Sequence, residues 1–369
     1  MTPTKIVTVV GARPQFIKAA AVSRAVRARR DSGLVEVLVH TGQHYDKMMS
    51  DVFFEELGID APAYNLAIAG GGHGAMTGRM LEALERVFID ERPDWVLIYG
   101  DTNSTLAAAL AASKLHIPIA HVEAGLRSFN MRMPEEVNRI VADRLSTLLL
   151  CPTEASIANL QREGTTEGVH VVGDVMYDVA LHFSQAADEH TQLLTQLGLT
   201  PKAYVLSTCH RAETTDDPVQ LEGIVTGLAE IAKRRAVVLP IHPRTRGKLV
   251  EFGLMDRLTG VQLIEPVSYL DMVTLEKNAE VIVTDSGGIQ KEAFFYRVPC
   301  VTTRRETEWV ETVEAGWNVL VGTDAQAMVA AVESHAQQKR LDVHPYGDGD
   351  AANRILDLLL MHPAATHSK

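Results

Sequence analysis

Short runs of β-branched and other apolar residues alternate with longer amphipathic stretches from one end of the chain to the other. This alternation is typical of strands that are each followed by a helix, and such units build parallel sheets. We predict two α/β domains, each with a six-stranded parallel sheet. The predicted strands cover residues 5–10, 35–40, 95–100, 117–122, 147–151 and 170–173 in the first half, and residues 203–208, 237–241, 261–264, 281–284, 300–303 and 319–321 in the second.

A polar stretch with a helical pattern, residues 188–199, separates the two series of strands. The proline that follows Thr200 disfavours continuing that helix. A length of 369 residues also suits two domains. We therefore place the first domain at residues 1–176 and the second at residues 177–352, and we predict that residues 353–369 form a terminal helix.

Composition and charge exclude several classes of protein. The formal net charge of −12 argues against nucleic acid as a partner, because a surface that follows phosphates needs clustered lysine and arginine. No apolar run approaches the ~20 residues that span a bilayer, so we expect no membrane insertion. The first residues lack the pattern of a signal peptide, and the three cysteines match no zinc motif. We expect a cytoplasmic protein, and a small anionic ligand fits the charge if the cations are concentrated at one site.

In open parallel sheets, ligands bind beyond the carboxyl ends of the strands, so the residues that follow each strand are informative. After the first strand, a glycine turn opens a helix with Arg13 and Lys18 near its positive end. We predict that they contact phosphate, and solvated charges on a first helix are the alternative. Asp101 follows the third predicted strand and is either a helix cap or a catalytic carboxylate.

Further carboxylates come from two later segments of the first half. Glu123 follows a predicted strand, and Glu135 and Glu136 begin the next helix. Two carboxylates that reach one site are typical of paired acid and base chemistry, because like charges push their proton affinities apart. Glutamates at the start of a helix are equally favoured by the helix dipole, so both interpretations stay open.

The second half carries a candidate phosphate site. His210 and Arg211 follow its first strand, and we predict that His210 moves a proton or contacts a diphosphate. Residues 284–292 read as a strand, a Ser286-Gly287-Gly288 turn and a helix. Glycines let backbone N–H groups approach a diphosphate, and Glu292 further along is placed to accept from ribose hydroxyls. Residues 240–244, which include His242, repeat this pattern less specifically.

Two motifs that resemble cofactor or metal sites have simpler interpretations. The glycine-rich run at residues 70–75 lacks a preceding strand, so we expect no nicotinamide cofactor there, and no Walker A pattern occurs. Asp348-Gly349-Asp350 resembles a metal-binding pair of aspartates but precedes the terminal helix, where a turn and cap are the simpler interpretation. We therefore expect neither a cofactor nor a metal.

Taken together, the motifs resemble those of the non-hydrolysing UDP-N-acetylglucosamine 2-epimerase family. The similarity covers essentially the whole chain, and the motifs that carry it are Gly11-Ala12-Arg13-Pro14, Thr41-Gly42-Gln43-His44, Gly100-Asp101-Thr102, His121-Val122-Glu123-Ala124-Gly125-Leu126-Arg127, Pro134-Glu135-Glu136-Val137-Asn138-Arg139, Cys209-His210-Arg211, Asp285-Ser286-Gly287-Gly288 and Pro345-Tyr346-Gly347-Asp348-Gly349.

The resemblance implies two Rossmann-like domains of the glycosyltransferase-B type, with the active site in the cleft between them. It also implies a final helix that crosses back to the first domain, and a homodimer. The implied reaction inverts C2 of a UDP-2-acetamido sugar, of the UDP-N-acetylglucosamine to UDP-N-acetylmannosamine type, and feeds surface polysaccharide precursors. In the family, UDP is eliminated to give a 2-acetamidoglucal and then adds back on the opposite face, which requires no nicotinamide.

The resemblance also implies roles for individual residues, motif by motif. The implied catalytic residues are Asp101, Glu123, Glu135 and His210. The implied contacts to the UDP-sugar come from Arg13, Lys18, Arg211, Ser286, Gly287, Gly288 and Glu292. A second, activating UDP-sugar would contact Gln43, His44 and His242.

One departure bears on the substrate. Relatives that act on UDP-N-acetylglucosamine carry Thr-Glu-Arg-Pro-Glu where this chain has Trp309 in place of the arginine. Together with residues 128–133, this resembles the branch that acts on UDP-2,3-diacetamido-2,3-dideoxy-glucuronate, so two sugars stay open. A glycosyltransferase of the same fold and a catalytically silent sensor of nucleotide sugars are the more distant alternatives.

Overall fold

The structure, a computed structural model of the chain, describes residues 3–29, 33–43, 54, 56–189 and 192–362. It divides into two compact units. The described residues within Met1–Val179 and His344–Lys369 form the first unit, and those within Ala180–Val343 form the second. In the ranges described, no helix combines the length and the apolar character that a bilayer span needs.

The first unit is built on a parallel sheet. Within the described residues its strands are β1 (Thr4–Val10), β2 (Leu34–His40), β3 (Tyr64–Asn65), β4 (Trp95–Tyr99), β5 (Ile119–Val122), β6 (Leu148–Cys151) and β7 (Val169–Val171). Their order in the sheet is β3-β2-β1-β4-β5-β6-β7. Every residue of β4, β5 and β6 is buried, as expected for a parallel sheet that helices cover on both faces.

The prediction of six strands in this half was wrong, because the described residues contain a seventh strand. Tyr64 and Asn65 pair with Val39 and His40 at the edge of the sheet. A strand of two residues is too short to show an alternating or β-branched pattern, so the sequence gives no signal for it. The predicted strands 117–122 and 170–173 also begin or end within two residues of the observed bounds.

Helices flank the first sheet, and small side chains let them pack closely. Ala107, Ala108, Ala111 and Ala112 are buried in one helix and contribute to the same apolar cluster as Val7, Val96 and Ile98 of the sheet. The helices of this unit are α1 (Arg13–Ala28), α2 (His73–Glu91), α3 (Asn103–Lys114), α4 (Pro134–Leu145) and α5 (Glu154–Arg162), together with α6 (Val175–Glu189), in which the chain passes into the second unit.

The second unit has its own parallel sheet. In the part of the chain that the structure describes, its strands are β8 (Tyr204–Thr208), β9 (Ala236–Pro240), β10 (Val261–Ile264), β11 (Val281–Thr284), β12 (Cys300–Thr302) and β13 (Asn318–Leu320). They match the six strands predicted for this half, with bounds that differ by at most one residue. The order is β10-β9-β8-β11-β12-β13. The helices are α7 (Gln192–Gln196), α8 (Ala212–Thr215), α9 (Pro218–Ala232), α10 (Pro243–Glu251), α11 (Tyr269–Asn278), α12 (Gly287–Phe295), α13 (Val310–Glu314) and α14 (Ala325–Ser334).

The order of the strands indicates where each sheet would bind a ligand. In the first sheet the direction of winding reverses between β1 and β4, and in the second it reverses between β8 and β11. At such a point the loops that follow the two strands diverge and leave a crevice at their carboxyl ends. In each unit, the loops that diverge carry residues that the sequence singles out.

The last described helix belongs to the first unit. The last helix, α15 (Ala351–Met361), buries Ile355, Leu356 and Leu359. The backbone N–H groups of Ala351 and Ala352 donate to the two carboxylate oxygens of Asp178, which satisfies donors that the first turn of a helix leaves open.

Asp178 generates a pH-dependent prediction. Burial raises the pKa of its carboxyl to about 6, despite the two amides that donate to it. The folded protein therefore binds this proton more tightly than the unfolded chain does, so the contribution of Asp178 to stability rises as the pH falls from about 7 to about 4. We expect Asp178→Asn to remove this gain, which is roughly 2 kcal/mol. Urea unfolding at several pH values measures it.

Asp217 is the matched control, because it caps α9 with its side chain at a more open position. Hydrogen bonds from Gln220 and Val219 lower the pKa of its carboxyl, so its contribution to stability is lost as the pH falls. Asp217→Asn should change the pH dependence in the opposite direction. A stability difference between wild type and Asp178→Asn that stays constant with pH would contradict the prediction.

Candidate active site

The loop after β1 is fixed to the end of β4 by one glutamine. The side chain of Gln15 accepts from the backbone N–H groups of Gly11 and Ala12, at 2.8 and 3.1 Å, and its amide donates to the carbonyl of Tyr99 at 2.7 Å. The two amides at the start of α1 are thus already engaged by protein. Arg13 is the first residue of α1 and is half-buried.

Lys18 and Glu123 form a buried ion pair beneath Gly100. The Lys18 ammonium donates to Oε2 of Glu123, and both side chains are almost fully buried. Glu123 adopts a left-handed backbone conformation, with φ of 72°, which turns the chain directly after β5. A Cβ atom at Gly100 would lie 3.3 Å from Lys18 Nζ and 3.4 Å from Glu123 Oε2, so glycine leaves the approach to the pair open.

Asp101 lies beside this pair and is held by α4. Its carboxylate accepts from the Arg139 guanidinium through Nε, at 3.1 Å, and through Nη2, while its backbone carbonyl accepts from Asn138 Nδ2 at 2.9 Å. The cap of α3 is Thr102, not Asp101, because the Thr102 hydroxyl accepts from the backbone N–H of Thr105. The interpretation of Asp101 as a helix cap was therefore wrong, and its carboxylate, 29% exposed, stays at the ligand edge.

The two glutamates at the start of α4 differ in burial. Glu136 is fully buried and accepts from the backbone N–H and hydroxyl of Ser128, from the backbone N–H of Phe129 and from Arg139 Nη1, all at 2.9 Å. With four donors around it, Glu136 fixes the loop that precedes α4. Glu135 is half-buried, so of the two it is the more accessible.

In the second unit, Asp285 orients the loop that carries His210. Asp285 Oδ2 accepts from the backbone N–H groups of His210 and Arg211, at 2.8 and 2.9 Å, and Oδ1 lies 3.2 Å from His210 Nδ1. Burial alone would raise the pKa of Asp285, but the His210 ring and the two amides lower it. An ionised Asp285 holds the Nδ1–H side of His210, whose side chain is 45% exposed, and leaves Nε2 as the nitrogen that can reach a ligand.

The glycine turn after β11 forms the start of α12. The Ser286 hydroxyl accepts from the backbone N–H of Ile289 and caps the helix, so Gly287 and Gly288 present backbone N–H groups at its positive end. Further along, Oε1 of the buried Glu292 accepts from the Tyr269 hydroxyl at 3.1 Å.

Trp309 lies against this turn. A Cβ atom at Gly287 would lie 3.4 Å from the indole Nε1, and the Lys291 ammonium lies 4.0 Å from the centroid of the Trp309 ring. Arg304 Nη1 and Nη2 donate to the Glu308 carboxylate at 3.1 and 3.0 Å next to the same turn. Lys291 and Arg304 therefore lie near this turn, the first against the Trp309 ring and the second in an ion pair with Glu308.

The residues assigned to a second, activating ligand lie in different units. Oε1 of Gln43 accepts from the backbone N–H and hydroxyl of Ser104 in the first unit, at 3.1 and 2.9 Å. His44 lies outside the described residues. His242 is exposed in the second unit, where it caps α10 and its ring centroid lies 6.5 Å from that of His210. This placement makes His242 a neighbour of the His210 site.

The weaker motifs of the sequence have structural roles. The glycine-rich run leads into α2, which begins at His73, and Asp348 accepts from Arg354 on α15. Among the described residues, no group of three or more His, Cys, Asp or Glu side chains is arranged to hold a metal ion.

Comparison with known proteins decides the family. A sequence profile described as "UDP-N-acetylglucosamine 2-epimerase" matches residues 26–360. The chain belongs to the UDP-N-acetylglucosamine 2-epimerase family. This epimerase is 54% identical, over 96% of its own length and 99% of the relative's, to a UDP-2,3-diacetamido-2,3-dideoxy-D-glucuronate 2-epimerase of Pseudomonas aeruginosa.

A second relative and a solved structure agree with this assignment. The epimerase is 44% identical to a UDP-N-acetylglucosamine 2-epimerase of Methanocaldococcus jannaschii, over 96% of its chain and 98% of the relative's. A crystal structure from the same organism, solved in complex with UDP-GlcNAc and UDP, matches with a TM-score of 0.90 and covers 97% of this chain and all of that one. The predicted family and the predicted pair of parallel-sheet α/β domains of the glycosyltransferase-B type are confirmed.

Two residues of the epimerase's first unit escaped the sequence-based assignment. Arg139 binds the carboxylate of Asp101, and the buried His121 donates to the carbonyl of Gly100. Both lie within the motifs that suggested the family. Their roles depend on contacts between elements 21 to 38 residues apart, which spacing along the chain does not show.

Arg139 provides a stability prediction. Replacing it by alanine leaves Glu136 buried without its cation, and breaking a buried ion pair costs about 3–5 kcal/mol. Arg86 is the matched control, because it pairs with Glu82 on the exposed face of α2, where such a pair contributes about 0.3–0.5 kcal/mol. Chemical unfolding of Arg139→Ala and Arg86→Ala measures both. Equal destabilisation would contradict the assigned role of Arg139.

Proposed function

We propose that this epimerase inverts C2 of a UDP-linked 2-acetamido sugar, and that UDP-2,3-diacetamido-2,3-dideoxy-glucuronate is its substrate. The relative named for that sugar is 54% identical, against 44% for the relative named for UDP-N-acetylglucosamine. Trp309 supports the same choice, because it stands where relatives of the second kind carry an arginine. An indole offers no bidentate donor pair, so the two branches must contact their ligands differently at this position.

The observation that carries the proposal is the pair of carboxylates beside Gly100. Asp101, paired with Arg139, follows β4 at the reversal of winding in the first sheet, and Glu123, which follows the neighbouring β5, pairs with Lys18 of α1. C2 of a glycoside has no neighbouring carbonyl, so its proton becomes removable when the anomeric group leaves. Two differently paired carboxylates suit removal of that proton and its return on the other face. We assign this chemistry to Asp101 and Glu123, with the half-buried Glu135 as a third candidate.

We assign the departure and return of UDP to the second unit. The backbone N–H groups of Gly287 and Gly288, with Ser286 and Arg211, suit the diphosphate, and Glu292 suits the ribose. Asp285 fixes the Nδ1 side of His210, so that Nε2 is free to give a proton to the leaving oxygen and take it back. Arg13 and Lys18 add positive charge in the first unit.

In this route the C–O bond to UDP and the C2–H bond break, and a 2-acetamidoglucal forms. Addition of UDP and of a proton from the opposite face restores the glycoside with C2 inverted. No electron leaves the sugar, so a nicotinamide has no role. The homodimer, the cytoplasmic location and the supply of surface polysaccharide precursors stay predictions, as does activation by a second UDP-sugar at Gln43, His44 or His242.

Proton exchange tests the reaction. In D2O, the enzyme should convert UDP-2,3-diacetamido-2,3-dideoxy-glucuronate to its C2 epimer, place deuterium at C2 and release a little UDP, all visible by NMR. We expect slower turnover of UDP-N-acetylglucosamine, and faster turnover would reassign the substrate. A glycosyltransferase would leave the C2 hydrogen in place, and a sensor would bind UDP without exchange. Absence of exchange with both sugars would defeat the proposal.

Glu123→Gln tests the carboxylate. The amide keeps the shape of the side chain but cannot carry a proton from C2, so kcat should fall by about 10²–10⁴-fold. UDP binding, measured by calorimetry, should persist, because the groups assigned to the diphosphate and the ribose lie in the second unit. Glu167→Gln is the control, since Glu167 is exposed and outside the site. Full turnover by a folded Glu123→Gln enzyme is the result that would remove Glu123 from the mechanism.

A further inference from the structure

His121 is buried in the middle of the first sheet with an acceptor at each ring nitrogen. It lies on β5, between Ile98 of β4 and Leu149 of β6, and its side chain has no exposed surface. Nε2 lies 2.7 Å from the carbonyl oxygen of Gly100, and Nδ1 lies 2.7 Å from Oδ1 of Asp143. A carbonyl oxygen only accepts, so Nε2 carries a hydrogen.

Asp143, on the other side of the ring, has the contacts of an ionised carboxylate. Arg127 Nη1 donates to its Oδ2 at 2.7 Å, and the backbone N–H of Gly125 donates to it at 3.2 Å. Burial would raise the pKa of Asp143, but the hydrogen bond from His121 and the charge of Arg127 lower it. An ionised Oδ1 accepts from Nδ1, so both ring nitrogens donate.

The hydrogen bonds at both ring nitrogens are satisfied only if the ring is protonated. Arg127 also binds Glu163 through two donors, Nε and Nη2, each at 2.7 Å. Arg127 is thus shared between the buried Asp143 and Glu163, whose carboxylate is 39% exposed. A neutral ring would turn a lone pair toward one of its two acceptors, the Gly100 carbonyl or the ionised Asp143.

We propose that His121 is a buried imidazolium that positions the two reacting carboxylates. Its Nε2–H fixes the carbonyl of Gly100, which precedes Asp101. Its Nδ1–H fixes Asp143, which in turn holds the Gly125 amide of the turn that begins with Glu123. One ring thereby links the two loops that carry Asp101 and Glu123. The role rests on the proposed function of those carboxylates, whereas the protonation state does not.

The consequence is kinetic. If the Gly100 and Gly125 loops shift relative to each other, proton removal and proton return no longer match in position, and a displacement of about 1 Å can cost about 100-fold in rate. The glycal would then persist longer before it is protonated, and more UDP would dissociate per epimerisation. A role confined to stability would lower the unfolding midpoint and leave this ratio unchanged.

His121→Gln tests the positioning role, because an amide can donate to one of the two acceptors but turns its oxygen toward the other. We expect kcat to fall by about 100-fold with a smaller change in KM, and the ratio of released UDP to epimer to rise. Asp143→Asn should have the same effects, and the double variant should be little worse than either single one. His170→Gln, on the edge strand β7, is the control and should behave as wild type.

Neutron diffraction from crystals of the wild-type enzyme tests the protonation independently of any variant. We expect hydrogen at both Nδ1 and Nε2 of His121, and a proton on Asp143 with a bare Nδ1 would overturn the proposal. A folded His121→Gln enzyme with wild-type kcat and UDP release would equally overturn it. If the variants do not fold, the neutron result decides. A wild-type enzyme inactive on both sugars defeats the proposed function, and the protonation is still decided by diffraction.

Discussion

A charge that leaves water must be neutralised where it is buried, and this requirement organises the ligand edge of the first unit. Lys18 neutralises Glu123, and Arg139 pairs with both Asp101 and Glu136. Each cation comes from a helix and each of these partners lies at or near a loop, so the ion pairs also fix the loops to the scaffold. The contacts that neutralise the carboxylates of this edge are therefore the same contacts that set their positions.

The proposed diphosphate site of the second unit is built differently. Its glycine turn offers backbone N–H groups and a helix end, which favour an anion without a buried side-chain charge in contact with it. The cations nearby are shielded, Lys291 by the ring of Trp309 and Arg304 by Glu308. In the proposed reaction, such graded attraction would help the site to release and recapture a diphosphate, because unscreened cations would retain the leaving group. In the first unit, cations hold carboxylates in place, and in the second, a ring and a carboxylate screen the cations Lys291 and Arg304.

The sequence predicted the architecture because strand periodicity and glycine turns are local signals. The strand order and its winding reversals came from the structure, which places the loops of Gly100 and Ser286 beside them. Tyr64–Asn65 was missed because two residues carry no period. The choice between Glu135 and Glu136 could not be made from spacing, since both suit a helix start, and burial alone separated them. The same holds for His121 and Arg139, whose partners are distant in the chain.

The last helix has a consequence for synthesis on the ribosome. The residues of α15 pack onto the first unit, where Asp357 pairs with Arg29 of the segment that ends α1 and Asp178 caps the first turn. The second unit is continuous in the chain, from Ala180 to Val343, so all of its strands can assemble as soon as they emerge. The first unit begins earlier in the chain but cannot cover all of its apolar surface until α15 has emerged. The face of α1 against which α15 packs therefore stays uncovered while the whole of the second unit is made.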